Sequence, residues 1–462
     1  MAKAKAVFRC TGCGHQVPKW VGQCPSCREW GTISESAPAA AAVRAGTTSV
    51  VPSSPAVRIT EVASNSATSV PTGIGEFDRV LGRGVVPGSV ILLAGEPGVG
   101  KSTLLLETVK HWATQGKTAL YVTGEESAGQ VRLRAERTDA VNENIYLASE
   151  TDLATVLGHV EAVSPTLLIV DSVQTMVASG TDGVTGGVTQ IRAVTTALVS
   201  LAKTSGIAVI LVGHVTKDGN VAGPRSLEHL VDVVLSFEGD RHSSLRMIRG
   251  IKNRFGPSDE VGCFEQRSDG IHEVSDPSGI FVHHHESDVP GSAALVAMDG
   301  RRAMVGQIQA LLNDTKMTSP RRAVSGLDSA RVAMMLAVAE KHAAVRGSDK
   351  EVYVSTVGGM KVTEPAADLA IFLALYSSQH DKVVPSTTVA IGEVGLAGEV
   401  RRVSSVARRV SEAKRLGFTH VIIPAGSTDE DLPRGVRISR VNNLLEASTA
   451  AVSRMGLVDA PF

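Results

Sequence analysis

Between residues 90 and 237, short runs of branched apolar side chains alternate with stretches of helical periodicity. The runs are Val90–Ala94, Thr118–Thr123, Asn144–Leu147, Leu167–Val170, Ile207–Val212 and Val231–Phe237. Several of them, such as Leu-Leu-Ile-Val at 167–170, carry no polar alternation, which predicts strands buried on both faces of a mainly parallel sheet. Strands of this kind with helices between them predict a doubly wound α/β domain over 58–282. A polar, turn-rich break follows at His283-His284-His285-Glu-Ser-Asp-Val-Pro-Gly. Its histidine trio reads either as solvated surface or as a metal tract. Beyond it, helical patterns at Gly326–His342, Ala366–Leu375 and Val406–Leu416 mix with strand runs at Glu351–Thr356, Thr387–Ile391 and His420–Pro424, predicting a second α/β domain over 290–462. Residues 34–57 are mostly Ala, Ser, Thr, Val and Pro, too poor in large apolar groups to offset the entropy of ordering, and read as a flexible linker.

Composition narrows the class. A chain of 462 residues, 43% hydrophobic and 20% charged, has room for two or three ordinary globular domains and is not disordered. A formal net charge of −1 gives the whole molecule no pull toward nucleic acid, so any such binding must come from local basic surface. The basic start runs into Cys10 with no apolar signal region, and no stretch approaches a membrane span; the reading is cytoplasmic, without membrane contact.

Four of the five cysteines fall at Cys10, Cys13, Cys24 and Cys27. Two C-x-x-C turns, loosened by Gly12, Gly14 and Pro25, aim four thiolates at one point, which suits a tetrahedral Zn²⁺ in a module over 1–33. The other reading is a redox dithiol. Cys263, alone in an apolar segment, reads as a core residue.

The segment Gly95-Glu96-Pro97-Gly98-Val99-Gly100-Lys101-Ser102 fits G-x-x-x-x-G-K-[ST]; it follows a strand run and, with Thr103, opens a helical pattern. Glycines there let backbone N–H groups converge on the phosphates of ATP, Lys101 reaches the β and γ oxygens, and Ser102 ligates Mg²⁺. Leu167-Leu-Ile-Val-Asp171 ends an apolar strand in a carboxylate, where a Walker B aspartate holds the Mg²⁺ shell. Tyr121-Val-Thr-Gly-Glu125-Glu126 leaves the intervening strand into paired acids. Glu125 is assigned the orientation of the attacking water, with Glu126 as substitute; a solvated acidic helix start is the alternative.

The order of cysteine module, linker, phosphate loop, Glu-Glu pair and Lys252-Asn253-Arg254-Phe255-Gly256 resembles the RadA/Sms family of bacterial recombination-repair proteins, and KNRFG is that family's signature. The resemblance implies a RecA-like core in hexameric rings like those of replicative helicases. It implies a DNA-dependent ATPase that binds single-stranded DNA and promotes branch migration of recombination intermediates alongside the RecA recombinase. Lys252 and Arg254, read on the turn after a strand Ser244–Ile251, would cross a subunit boundary to the neighbouring γ-phosphate; a solvated basic turn is the other reading. Loops at 178–192 and 214–226 occupy the places of channel-lining loops, offering Arg192, Lys217 and Arg225 to DNA phosphates and no aromatic for stacking. His214 resembles a γ-phosphate sensor.

Residues 290–462 resemble the proteolytic domain of Lon proteases, whose serine and lysine would fall at Ala366 and Ala407. Neither alanine can attack or deprotonate, so the region reads as a scaffold for oligomerisation or DNA binding and argues against an ATP-dependent protease. The run Arg401, Arg402, Arg408, Arg409, Lys414 and Arg415 reads as a nucleic-acid face or a solvated helix. A signalling ATPase of the clock-protein type is the remaining alternative.

Overall fold

The computed structural model describes residues 7–10, 15–17, 19–36, 58–61, 68–214, 227–239, 244–278, 289–428 and 432–452. The chain forms two compact units, 1–63 and 64–462. Cys13, Lys217, Arg225 and the histidine trio lie outside the described residues.

In the first unit, β1 (Val7–Cys10) is flanked by β2 (Gln16–Val17) and β3 (Ile33–Ser36), both antiparallel to it. Its apolar core is Cys10, Val17, Cys24 and Ile33, with Cys27 packed against them. A core as small as the one the described residues form cannot offset chain entropy, which gives metal ligation a share in the folding energy.

In the second unit, helix α1 (Gly75–Leu81) leads into β4 (Val90–Gly95), α2 (Lys101–Thr114), β5 (Ala119–Thr123), α3 (Ala128–Arg137), β6 (Ile145–Ser149), α4 (Leu153–Val163), β7 (Leu167–Asp171), α5 (Val188–Ser205), β8 (Ala208–His214) and β9 (Val233–Gly239). The chain then doubles back through β10 (Leu245–Asn253), β11 (Val261–Arg267) and β12 (Gly270–Glu273). These strands make one nine-stranded sheet in the order β12-β11-β10-β9-β4-β8-β7-β5-β6, parallel from β9 to β6 and antiparallel beyond. Alternate residues of each parallel strand feed two separate cores. Ile91, Leu93, Tyr121 and Ile169 pack under α1, α2 and α3, while Leu92, Val122, Val170 and Leu211 pack under α4 and α5. This is why the runs are apolar without alternation. Cys263, in β11, is buried as expected, and burial pushes its thiol up to about 11.

The rest of the unit is a seven-stranded sheet, β15-β16-β14-β13-β17-β20-β21. It is built from β13 (Ser292–Asp299), β14 (Arg302–Asp314), β15 (Arg322–Ser325), α6 (Ser329–Ala343), β16 (Lys350–Thr356), α7 (Asp368–His380) and β17 (Thr388–Ala390), with a small ribbon β18 (Glu393–Val394) and β19 (Val400–Arg401). Helix α8 (Val406–Arg415), β20 (His420–Pro424), β21 (Arg437–Val441) and α9 (Leu444–Val452) complete it. Where a helix was expected from Ala366, a 3₁₀ turn over Pro365–Ala367 precedes α7. Among the described residues no helix is long and apolar enough to cross a membrane.

Candidate functional site

The loop after β4 turns on glycines at positions where other residues are strained. Gly98 and Gly100 have φ of 80° and 109°, and a Cβ on Gly95 would stand 2.5 Å from the Phe237 carbonyl oxygen. Helix α2 starts from Gly100 with no side-chain cap, leaving its first N–H groups directed at the loop. Lys101 is buried; its Nζ donates to the carbonyls of Gly95 at 2.8 Å and Glu96 at 3.0 Å, and sits 3.3 Å from His214 Nδ1. Burial pulls the amine below its ordinary value, opposed by the charges of Asp171 and Glu125.

One strand, β8, separates the phosphate-loop strand from β7, and it ends at His214. The His214 imidazole bridges the gap, with Nε2 3.0 Å from Glu125 Oε1. Ser172 Oγ donates to the same oxygen at 2.5 Å. Burial works to raise the Glu125 carboxyl, but the bonds from Ser172 and His214 and the charge of Lys101 outweigh it and hold it below the usual range. Glu126 turns the other way and pairs with Arg134 of α3. Asp171 accepts a 2.6 Å hydrogen bond from the Tyr121 hydroxyl, which also meets Ser102. Burial, followed by the Asp171 charge, keeps that phenol protonated, well above its usual value. The edge thus gathers a cation, two carboxylates and three hydroxyls around one point, a donor set that suits Mg²⁺ and a triphosphate. Sequence reasoning did not single out Tyr121 or Ser172. Tyr121 lies inside an apolar run and reads as core; the one signal for Ser172 is a polar residue directly after Asp171.

KNRFG differs from its expected turn: Lys252 and Asn253 still belong to β10, because Asn253 pairs with Val233 after a bulge at Gly250/Lys252. Lys252 Nζ is held by the carbonyls of Glu228 at 2.6 Å and Val231 at 2.8 Å. Asn253 Nδ2 donates to the last carbonyls of α1, Val80 at 3.3 Å and Leu81 at 3.1 Å. Gly256 backs onto Gly82 so closely that a Cβ on either would lie 3.1–3.2 Å from the other's Cα. Arg254 has a side chain 58% exposed, its guanidinium 3.8 Å from Asp232, and Phe255 is also exposed. The motif lies at the opposite end of the sheet from the phosphate loop: the Arg254 N–H donates to the Asp232 carbonyl, and the Asp232 N–H donates to the carbonyl of Val90, where β4 begins.

Arg192 is exposed on α5 and not in the preceding loop. That loop has positive φ at Gly180, Gly183 and Gly186 and presents Val184, 78% exposed. In the seven-stranded part, Ala366 is buried. The expected basic face loses Arg409, which is fully buried and makes a bidentate pair with Glu364. Arg415 is paired with Glu412 and Asp276.

In the first unit, Cys10 Sγ lies 3.6 Å from Cys27 Sγ, and the sulfurs of Cys10, Cys24 and Cys27 all fall within 4.8 Å of one another. Thiolates about 2.3 Å from one tetrahedral zinc stand roughly 3.8 Å apart, so the set fits Zn²⁺.

A phosphate loop between a buried parallel strand and a helix, with Asp171 and Glu125 on the same sheet edge, defines a RecA-like ATPase, here carrying a zinc ribbon and a Lon-like C-terminal domain. Residues 76–220 match the family described as AAA domain, 8–35 the rubredoxin metal binding domain, and 334–427 the subunit ChlI of Mg-chelatase. The chain is 54% identical over 453 residues to a DNA repair protein RadA of Mycolicibacterium smegmatis, covering 96% of this chain and 97% of that one. It is 55% identical over 449 residues to that of Mycobacterium tuberculosis (97% and 93%) and 43% over 454 to that of Bacillus subtilis (97% and 98%). The chain belongs to the RadA family of DNA repair proteins, and it is an ATPase that uses ATP, Mg²⁺ and Zn²⁺.

Proposed function

We propose that the chain is a DNA-stimulated ATPase of recombinational repair in the cytoplasm, binding single-stranded and branched DNA. It drives branch migration alongside the RecA recombinase as a helicase-like homo-hexameric ring. Residues 1–33 are the zinc module, held by Cys10, Cys13, Cys24 and Cys27, and 34–57 the linker. Residues 58–282 are the motor, and 290–462 a Lon-like scaffold without nucleophile or base.

In the motor, Lys101 and the amides of 95–103 hold the phosphates, Ser102 and Asp171 the Mg²⁺, and Glu125 orients the attacking water. His214 couples Glu125 to the γ-phosphate position through the lysine. The observation that carries the ring is the distance between Lys101 and Arg254. The five steps from Val90 to Gly95 along β4, at about 3.3 Å each, put about 17 Å of strand between the two ends, more than an arginine side chain spans. Arg254 therefore serves the phosphates of an adjoining subunit, where its charge is stabilising as the γ-phosphoryl leaves. Lys252 is tied to its own chain and positions the segment at 228–231. Arg192, Lys217 and Arg225 contact DNA phosphates.

The test mixes two inactive variants. Lys101→Ala keeps the arginine and Arg254→Ala keeps the phosphate loop, so each alone hydrolyses little ATP, whereas the mixture regains activity that single-stranded DNA raises further. A mixture as inactive as its parts would remove the shared site, and a rate indifferent to DNA would remove the motor.

A further inference from the structure

The β-turn that joins β13 to β14 runs over Asp299–Arg302, and each of its four residues meets β10, the loop that follows β10, or the elements packed beside them. Asp299 takes a bidentate pair from Arg249 of β10, one arm at 3.1 Å. Gly300, at φ 57°, presses on the backbone of Asp259: a Cβ there would lie 2.1 Å from the Asp259 oxygen. Arg301 donates its N–H to that oxygen at 2.8 Å and pairs with Glu260 at 3.1 Å. Arg302 is buried; its guanidinium pairs with Glu76 of α1 and donates to the carbonyls of Val261 at 3.2 Å and Ser275 at 2.8 Å.

These contacts close on Arg254 from two sides. Asp259 and Glu260 pair with Gly250 at 2.9 and 3.0 Å, shutting the loop that holds Arg254. Glu76 begins the same short helix whose last carbonyls Asn253 caps. The root of the hairpin is fixed in turn by the corner where a Lon-type site would lie. Glu364 accepts from the Met298 N–H at 2.6 Å, Arg409 donates to the Val296 carbonyl at 2.7 Å, and Arg408 donates to the Arg301 carbonyl at 2.9 Å. A buried, fully bonded arginine at such a joint transmits position because its packed surroundings do not deform gradually.

We propose that Arg302 and Gly300 are positioning residues for ATP hydrolysis: the Asp299–Arg302 turn of the Lon-like domain holds the loop that presents Arg254 to the adjoining subunit. This rests on the reading of Arg254 given above. A strut of this kind gives the C-terminal domain a role in turnover without any chemistry of its own, and makes the rate sensitive to whatever that domain binds.

The test uses full-length, zinc-loaded protein with Arg302→Met and Gly300→Ala, compared with Arg254→Ala and with the double variant Arg254→Ala/Arg302→Met. Expected are a kcat at least tenfold lower at an ATP KM within twofold of native, partial recovery in Arg302→Lys, and recovery on mixing with Lys101→Ala subunits, whose turn and arginine are intact. The double variant is expected within twofold of Arg254→Ala alone, since both changes remove the same contribution. Native kcat in both single variants, or losses that multiply in the double variant, would overturn the strut. Should Arg302→Met fail to fold, Gly300→Ala is judged by the same criteria. If Arg254→Ala itself keeps the native rate, the shared-site reading falls and the strut with it; if Arg254→Ala behaves as expected and the turn variants do not, the strut alone falls.

Discussion

Ser172 Oγ donates a 2.5 Å hydrogen bond to Glu125 Oε1, joining the residue after Asp171 to the carboxylate beyond the neighbouring strand. The bond favours the charged carboxylate, which burial alone would disfavour. Ser172→Ala therefore raises the Glu125 pKa. A group needed as its anion loses function as pH falls through its pKa, so the acid limb of the rate profile moves to higher pH while the alkaline limb stays. A profile identical to the native one would separate Glu125 from the rate.

His214 touches both Lys101 and Glu125. His214→Ala is expected to lower kcat by about 10- to 100-fold with a small change in KM, the size of loss typical of a group that orients another. Lys101→Ala abolishes turnover. Steady-state kinetics with ATP as the varied substrate distinguish the two.

Lys252 and Arg254, two residues apart, should behave differently. Lys252→Ala leaves the carbonyls of Glu228 and Val231 without their donor and costs about 1–3 kcal/mol of stability, visible as a lower melting temperature. Arg254→Ala leaves the buried Asp232 carboxylate its closer partners, Lys203 and the Val90 N–H, and should leave melting within experimental scatter while suppressing hydrolysis. Equal melting losses in both would mean that Arg254 is structural.

Cys10→Ser should release zinc and melt the three-stranded sheet of residues 7–36. Trp20, 61% exposed, donates its indole N–H to the Ile33 carbonyl at 3.1 Å, so its emission reports the change. Unchanged metal content would remove Cys10 from the ligand set.

Arg409→Ala strands the Glu364 carboxylate and two carbonyl acceptors in the interior. The expected loss is about 3 kcal/mol, measured by denaturant unfolding. Arg408→Ala, on the exposed side of α8, should cost far less.

The parallel strands were legible because burial on both faces removes polar residues from the sequence itself, and the phosphate loop because its glycines and lysine are local. Contacts far apart in the chain were not. Nothing near Tyr121 announces Asp171, fifty residues on, as its partner, and nothing near Arg302 announces Glu76. KNRFG was found as a string, but the bonds that Lys252 makes within its own chain were hidden. A strand's last residues look like a turn's first, and only the pairing of Asn253 with Val233 shows that Lys252 faces its own chain. Arg409 misled for a related reason: charge on a helix reads as solvated unless its buried partner is known.

Lys101 and Arg254 lie at opposite ends of one sheet; if Arg254 serves an adjoining phosphate loop as proposed, damage to either is the property of a contact between chains and not of a chain. In a cell carrying two alleles, one broken in the phosphate loop and the other at Arg254, working contacts reappear. An allele broken at Arg254 beside a native one would do the reverse: each faulty copy silences the phosphate loop of an intact neighbour, so that mutation is inherited as dominant, whereas a phosphate-loop mutation silences only its own copy.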